Sequence, residues 1–453
     1  MARIIPALLF VCLAVSARAQ TVDDATIADL LAADRAAADA TNDGDGLPNS
    51  DVGGERHDDQ SMALASRFQI QLGGKLRVEA GTFLPDRFLG IRMPSSYLRD
   101  SEPQIGRDDG FALGDARLDL RATYGDNLQV RMGFDGALAT YANDQSPIGV
   151  LNTGLMDAYV RYTVFSGMSV YLGRFKPPFD IEELTPTENQ FFVHRSLESR
   201  GVLRHEGPHA QMFGASDTGG FAPRRQLGVM VGSDSLFNLG TAHFAYALAM
   251  TNGNAGDASL NDNDLPAFWL RLATYWADDE QQRNDDEGPV TYSVPNGGSV
   301  GLSAYYNELT TGIAPNRYRD QVAGAGIDFA YSILVFNLQG QVLASMLQPV
   351  SRNDTPTVYS LGGHLQLAIQ IPETGLYPAY RFAYLDPRYV TNRDELVDLS
   401  PDQDKVMHHT VGLNYRAQSM PVVFNIEYTR SVEEDGRAMP NDRIEAAMQV
   451  TFQ

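Results

Sequence analysis

Positively charged side chains gather in one long stretch of the sequence that lacks strand alternation. Residues 176–225 separate two alternating segments and contain paired prolines, aromatic residues and charges. A loop of this length and composition is usually functional, so we predict an ordered plug or lid. Its cations could contact an anion, or Lys176 and Arg195 could pair with nearby carboxylates and hold the loop in place. The basic candidates are Lys176, Arg195, Arg200 and Arg204, and the candidate partners are Glu182, Glu183 and Glu188.

The same stretch contains residue types that occur in catalytic and metal sites. Ser196 has a histidine and acids nearby, which suggests a hydrolase, but no nucleophile elbow or comparable motif surrounds it. His194, His205 and His209 could bind a metal ion. Histidines this close together in a loop are more often solvated or hydrogen-bonded. We therefore predict that the protein is not an enzyme and holds no metal or cofactor here.

An acidic stretch near the start is a second candidate site. Residues 42–51 resemble the Asp-Gly-Asp-Gly-x-Pro calcium loops of extracellular repeat proteins, in which alternating carboxylates surround a hard cation. However, Thr41 and Val52 stand where that pattern needs carboxylates, and only one copy is present. A flexible acidic linker is therefore favoured over a calcium site. The calcium candidates are Asp43, Asp45, Asn49 and Asp51.

From residue 67 onward, polar and apolar residues alternate with period two, which predicts an all-β chain. We predict about sixteen strands, an even number, as bacterial outer-membrane barrels have. The acidic segment 277–297 falls where a short turn is due, so it is either an inserted loop or a slip in the strand count. The predicted strands are 67–82, 112–124, 127–141, 155–164, 168–175, 226–233, 238–250, 267–276, 298–308, 321–331, 333–346, 357–369, 376–386, 405–416, 421–431 and 442–452.

The connections between these strands alternate between short and long. Short turns at one rim and long loops at the other are typical of an outer-membrane barrel. This second signal is independent of the strand pattern and supports a transmembrane antiparallel β-barrel. The tight connections are 125–127, 166–167, 331–332 and 417–420, and the long ones are 83–111, 176–225, 251–266 and 387–404.

The alternation also assigns side chains to two faces. Each strand keeps one charged or amide face, which suits a watery interior with lipid outside better than a soluble sandwich. Interior basic residues could offer an anion successive weak sites, or could pair with carboxylates and stiffen the wall. The near balance of signs favours pairing for most of them. The interior basic residues are Lys75, Arg77, Arg117, Arg121, Arg131, Arg161, Arg271, Arg381, Arg416 and Arg443, and the interior acids are Glu79, Asp115, Asp119, Asp135, Asp157, Asp328, Glu427 and Glu445.

Composition indicates export and argues against nucleic-acid binding. The first residues combine a positive start, an apolar core and a small-residue cleavage pattern at Ala17-Arg-Ala19, as in a signal peptide; the one cysteine, Cys12, lies within it. A formal net charge of −22 offers no basic footprint for nucleic acid. We predict a signal peptide at 1–19, a periplasmic helix and acidic linker at 20–66, and the barrel at 67–453.

One motif resembles that of a known family. Residues 173–179, Gly-Arg-Phe-Lys-Pro-Pro-Phe, resemble the Gly-x-Phe-Lys-x-Pro-Phe signature of the phosphate-selective porin O/P family. Residues 191–196 and 225–229 resemble the family's Phe-x-Glu-Arg-Ser element and Arg-x-Leu-Gly strand start, with His194 where the family usually has Glu. The resemblance covers 67–453. It implies a sixteen-stranded, commonly trimeric porin whose third long loop, 176–225, folds into the lumen and narrows it, with arginines lining the channel.

These observations lead to a prediction of function. We predict an outer-membrane porin that allows passive diffusion of small hydrophilic solutes, above all anions such as phosphate. Its partners would be outer-membrane lipid, small anions and, as the resemblance implies, two further copies in a homotrimer. Lys176, Arg195, Arg200 and Arg204 would then lie at the constriction. The alternative is a structural or adhesive outer-membrane barrel whose acidic N-terminal segment binds divalent ions or cell-wall material.

Overall fold

The strands are the basis of the fold, and nearly all the described residues lie in or beside them. The computed structural model describes residues 68–84, 110–125, 127–136, 154–165, 167–200, 221, 223, 225–253, 265–277, 297–311, 318–350, 357–386, 405–417, 420–433 and 442–452. The predicted signal peptide, periplasmic helix, acidic linker and calcium candidates lie outside the described residues. So do Arg204, His205 and His209.

Sixteen antiparallel strands form a closed barrel, which confirms the predicted fold. Each strand pairs with its neighbours in sequence, and β1 also pairs with β16, from Gly74 opposite Phe452 to Phe83 opposite Arg443. The strands are β1 Phe68–Phe83, β2 Gly110–Tyr124, β3 Leu128–Asp135, β4 Leu155–Phe165, β5 Met168–Phe175, β6 Gln226–Leu239, β7 Ala242–Thr251, β8 Ala267–Ala277, β9 Gly297–Thr311, β10 Tyr318–Ile333, β11 Phe336–Pro349, β12 Val358–Ile369, β13 Leu376–Asp386, β14 Val406–Arg416, β15 Val422–Glu433 and β16 Arg443–Phe452.

Most of the predicted strand ends are correct to within about three residues, but three are wrong, and one of these is the start of β7, which lies at Ala242 rather than at 238. β3 ends at Asp135 rather than at 141. β6 continues to Leu239 rather than ending at 233, because a bulge between Ser233 and Phe237 lets it go on pairing with β7. The turn predicted at 331–332 lies instead at residues 334–335, where Leu334 adopts a left-handed φ of 52°.

The structure also decides between the two interpretations of the acidic segment near residue 280. β8 and β9 are hydrogen-bonded neighbours, and the strand count remains sixteen. The strand count therefore does not slip, and the residues between Ala277 and Gly297 form an inserted connection between adjacent strands. Those inserted residues are not among the described ones.

The two faces of the wall are those that the alternation predicts. Leu118, Val130 and Met448 point outward with exposures of 45%, 37% and 41%, whereas the inward Arg131 is 3% exposed. Aromatic side chains are exposed on the outside near the short turns, as in the aromatic girdle of an outer-membrane barrel. They include Phe68, Tyr124, Phe165, Trp276, Phe336, Tyr415 and Phe452. Apolar side chains therefore cover the outside, and charged and amide side chains line the inside.

The helices of the described residues are all short. They lie in the connection between β5 and β6, as α1 at Ile181–Leu184, a 3-10 turn at Thr187–Asn189 and α2 at Leu197–Arg200. Within the described part of the chain, no helix is long and apolar enough to cross a bilayer.

We expect Leu118→Arg to destabilise the barrel in a lipid bilayer by about 2–4 kcal/mol, the usual cost of an arginine facing lipid near the midplane. Leu118 lies in the middle of β2 and points outward. Reversible denaturant unfolding from lipid vesicles would measure the change. Leu118→Ile is the matched control and should stay close to the wild type. An unchanged free energy of unfolding for Leu118→Arg would mean that this face does not contact lipid.

Candidate functional site

The loop between β5 and β6 begins with a sharp bend and an aromatic anchor. Gly173 in β5 has a φ of 134°, and a Cβ at this position would collide with the carbonyl oxygen of Ala158. Beyond the two prolines, Phe179 is fully buried and meets the ring of Tyr305 edge-on, with 4.9 Å between centroids. The ring of Trp269 lies 6.3 Å from that of Phe179 and 5.2 Å from that of Tyr305, so the three rings form one cluster. These contacts hold the start of the loop against the inner face of β8 and β9.

The first helix of the loop is bound to β11. Asp180 precedes α1 with a φ of 68°, and its carboxylate accepts a hydrogen bond from the backbone N–H of Glu182 at 3.0 Å. The side-chain oxygen of Gln341 in β11 accepts a second one from the N–H of Ile181 at 3.1 Å. The backbone N–H groups at the start of α1 thus find one hydrogen-bond acceptor in the loop itself and one in the barrel wall.

Residues 189–194 are hydrogen-bonded along the inner face of three further strands. The partners are inward-facing side chains of β13, β14 and β15, and they bind the loop backbone rather than its side chains. The bonds join Val193 N to Glu427 (2.6 Å), Asn425 to Phe192 O (3.1 Å), Asn414 to Gln190 O (3.3 Å), Arg416 to Asn189 O (3.1 Å) and Arg381 to His194 O (3.0 Å). The described part of the loop, 176–200, therefore lies inside the barrel, as the resemblance implies.

The predicted constriction residues that can be placed are held by one carboxylate of the loop itself. Nζ of Lys176 lies 3.6 Å from a carboxylate oxygen of Glu183, and the guanidinium of Arg195 lies 2.6 Å from the other. The sequence left open whether these cations contact an anion or pair with nearby carboxylates. In the structure, both pair with an acid of the loop. Arg200 ends α2, and Arg204 is outside the described residues.

His194, the residue that replaces the family's usual glutamate, lies between two carboxylates of the wall. Its Nε2 is 3.0 Å from Glu445 of β16 and 3.8 Å from Glu79 of β1. A glutamate here would place a third negative charge beside these two. The histidine instead connects the loop to the strands that close the barrel.

All ten predicted interior basic residues occupy inward positions, and most of them form ion pairs with carboxylates. Arg416 instead stacks on Phe191 and Tyr377, at 5.0 and 5.2 Å from their ring centroids. Wall pairing is therefore the main role of these cations, as the balance of signs predicts. The pairs are Lys75–Asp115 (3.3 Å), Arg77–Glu79 (2.8 Å), Arg117–Asp115 (3.6 Å), Arg131–Asp119 (3.2 Å), Arg271–Asp328 (2.6 Å), Arg381–Glu182 (3.3 Å) and Arg443–Glu445 (2.6 Å).

Three interior arginines lie together on β2, β3 and β4, and we call them the arginine patch: Arg121, Arg131 and Arg161. Arg121 is directly opposite Arg131 in the strand register, an arrangement of like charges that costs stability. Arg161 lies over the ring of Tyr171 at 5.5 Å. From Asp119 toward the short turns, the described inward positions of these three strands hold the patch and neutral side chains, but no further carboxylate. Among the described residues of the wall, the patch is thus one place where positive charge exceeds negative charge.

A buried polar cluster between the loop and β12 was not predicted from the sequence. Ser196, the residue considered for a hydrolase, is fully buried, and its hydroxyl lies 2.5 Å from carboxylate oxygens of both Glu182 and Glu198. His364 of β12 bonds to Glu198 through Nδ1. Gln341 donates to Glu198 at 3.0 Å. The sequence places His364 on the inward face, but no spacing pattern connects residues 182, 198 and 364.

Negative charge is crowded in this cluster. Burial raises the pKa of Asp180 to about 7, and the nearby carboxylates of Glu182 and Glu198 add to the effect. Burial also opposes ionisation of Glu182. The positive charges of His364 and Arg381, with hydrogen bonds from Ser196, outweigh that opposition, so the pKa of Glu182 is lowered. The cluster therefore favours a charged Glu182 beside an Asp180 that is about half protonated at neutral pH.

Comparison with known proteins agrees with this architecture. The family model for phosphate-selective porin O and P matches residues 89–452. No curated protein matches the chain. Among solved structures, an anion-selective porin from Comamonas acidovorans shares 11% identity, with 85% of this chain and 100% of that chain covered and a TM-score of 0.50. The outer-membrane channel DcaP of Acinetobacter baumannii shares 13% identity over 85% and 98% of the two chains, with a TM-score of 0.49.

Proposed function

Because the chain belongs to the phosphate-selective porin O and P family, we propose that its barrel passes small hydrophilic solutes by passive diffusion and prefers anions such as phosphate. The protein is a porin of the bacterial outer membrane, and its family and fold are those of a channel. The preference for anions is the part that remains to be measured. Assembly as a homotrimer, which the resemblance implies, also stays a prediction.

The arginine patch is the observation that carries the anion preference. Arg121 and Arg131 lie opposite each other although like charges weaken a sheet, and pairing with wall carboxylates does not require that arrangement. Guanidinium groups offer anions a fork of donors and can replace part of an anion's hydration shell. Several such groups side by side offer successive weak sites, from which an anion can leave as easily as it enters.

The position of the loop in the lumen also supports this proposal. Its residues 176–200 contact β1, β8, β9 and β11 to β16, through wall residues that include Arg77, Gln341 and Glu427. At the other end of the loop, Arg225 pairs with Asp157 of β4. The arginine patch lies on β2 to β4. The solute path would therefore run between the loop and the arginine patch. The loop cations Lys176 and Arg195, each paired with Glu183, would contribute less to the anion preference than the patch.

Measuring the reversal potential across a planar bilayer under a KCl gradient tests the proposal. The purified protein should give stepwise conductance, and the reversal potential should have the sign of chloride permeation. Replacing chloride by phosphate should preserve that sign if phosphate also passes. A potential with the sign of potassium permeation would overturn the anion preference and leave the porin assignment intact.

A further inference from the structure

The buried cluster between the loop and β12 has the composition of a metal site. Glu182 comes from α1, Glu198 from α2 and His364 from β12, and one ligand atom from each lies within 4.8 Å of the others. Their side chains are 5%, 0% and 0% exposed, respectively. The three residues thus connect both loop helices to one wall strand, at a place shielded from water.

In Glu182, Glu198 and His364, two buried side-chain atoms have no hydrogen-bond partner among the described residues. One is Nε2 of His364, which points toward a carboxylate oxygen of Glu182 3.9 Å away. The other is Oε2 of Glu198. Unpaired buried polar atoms are costly and therefore rare, so both atoms call for a ligand. A cation bound by Glu182, Glu198 and His364 would give Oε2 of Glu198 a partner.

The charge and the hydrogen bonding around the cluster suit a cation. The carboxylates of Asp180, Glu182 and Glu198 face only Arg381 and His364 as basic groups among the described residues of the cluster. Nδ1 of His364 already lies against Glu198, so a cation bound by both residues would take the place of the proton between them.

We propose that Glu182, Glu198 and His364 bind one divalent transition-metal cation. One imidazole nitrogen with two carboxylate oxygens is a donor set that Zn²⁺ accepts and that Ca²⁺ and Mg²⁺, which prefer oxygen ligands alone, do not. The ion would fasten α1 and α2 to β12 and so fix the position of the loop inside the barrel. This inference is independent of the anion preference, because no residue of the arginine patch takes part.

Metal titration of the full-length protein in detergent tests the proposal. After treatment with a chelator, Zn²⁺ binding is measured by calorimetry in millimolar Ca²⁺, which occupies the exposed acidic groups. We expect one tight Zn²⁺ per chain. Glu198→Gln and His364→Gln should each lower the affinity by at least about tenfold, because each removes a ligand and the loss of even an outer partner of a ligand costs about tenfold to a hundredfold. His408→Gln, which removes another buried inward histidine, on β14, should leave the affinity unchanged.

Two outcomes would overturn the proposal. The first is a wild-type protein that binds no Zn²⁺ while Ca²⁺ is present in excess. The second is equal affinity in the wild type and in Glu198→Gln. Should His364→Gln fail to fold, the absorption spectrum of the wild type with Co²⁺ replaces it. Visible bands typical of four-coordinate Co²⁺ with a nitrogen ligand support the site, and the pale spectrum of hydrated Co²⁺ refutes it.

Discussion

Replacing Arg121, Arg131 and Arg161 together by glutamine is expected to lower the permeability of the channel to anions relative to cations by about tenfold or more. Even in a fully aqueous lumen, the interaction energy between one such charge and an ion a few ångströms away is about 1 kcal/mol. A free-energy difference of that size changes the relative permeability roughly fivefold. The three side chains lie on adjacent strands of the wall, with Arg121 directly opposite Arg131. The reversal potential under a salt gradient measures the change.

The control for this variant is Arg430→Gln, which makes the same type of substitution, with the loss of one positive charge, at an exposed, outward-facing position on β15. It should keep the wild-type reversal potential, because lipid and the barrel wall separate it from the lumen. The triple variant should also fold, since removing the repulsion between Arg121 and Arg131 offsets the loss of the pair between Arg131 and Asp119. A triple variant with the wild-type reversal potential would show that the arginine patch does not select anions.

The barrel could be predicted from the sequence because its signal is local. Each strand carries its own alternation, so Leu118 and Arg117 are assigned to opposite faces without knowledge of any partner strand. The prediction failed where the local signal was misleading. The true turn at residues 334–335 contains Leu and Val, which are typical of strands. The residues Ser233 to Ser235 look like a turn but continue β6 through a bulge.

The candidate site could be predicted only in part, because it depends on contacts between residues far apart in the sequence. The alternation of inward and outward residues places His364 and Arg381 inside the barrel, but it does not show which loop residue each one contacts. Glu182 was considered as a partner for the loop cations, whereas Glu183 takes that role and Glu182 binds Arg381. Residues 176–200 have no periodicity, so the place where they lie on the wall is set by tertiary packing alone.

Breaking the buried ion pair between Arg271 and Asp328 is expected to have the largest effect on stability. Two guanidinium nitrogens of Arg271 on β8 bind the two carboxylate oxygens of Asp328 on β10, at 2.6 and 2.8 Å. The pair passes over β9 at Gly301, where any Cβ would collide with both side chains. Arg271→Met leaves the Asp328 carboxylate buried without its charge partner, which costs about 3–5 kcal/mol. Denaturant unfolding in lipid vesicles measures the loss.

The double variant Arg271→Met, Asp328→Leu separates the cost of an unpaired charge from the value of the pair itself. Replacing both members of a buried pair by apolar residues of similar size is often neutral, so the double variant should recover most of the stability that Arg271→Met loses. Because the two side chains are 0% and 2% exposed, water cannot take over the role of the missing arginine. If Arg271→Met is as stable as the double variant, the carboxylate of Asp328 reaches the water of the lumen, and β8 to β10 do not enclose it.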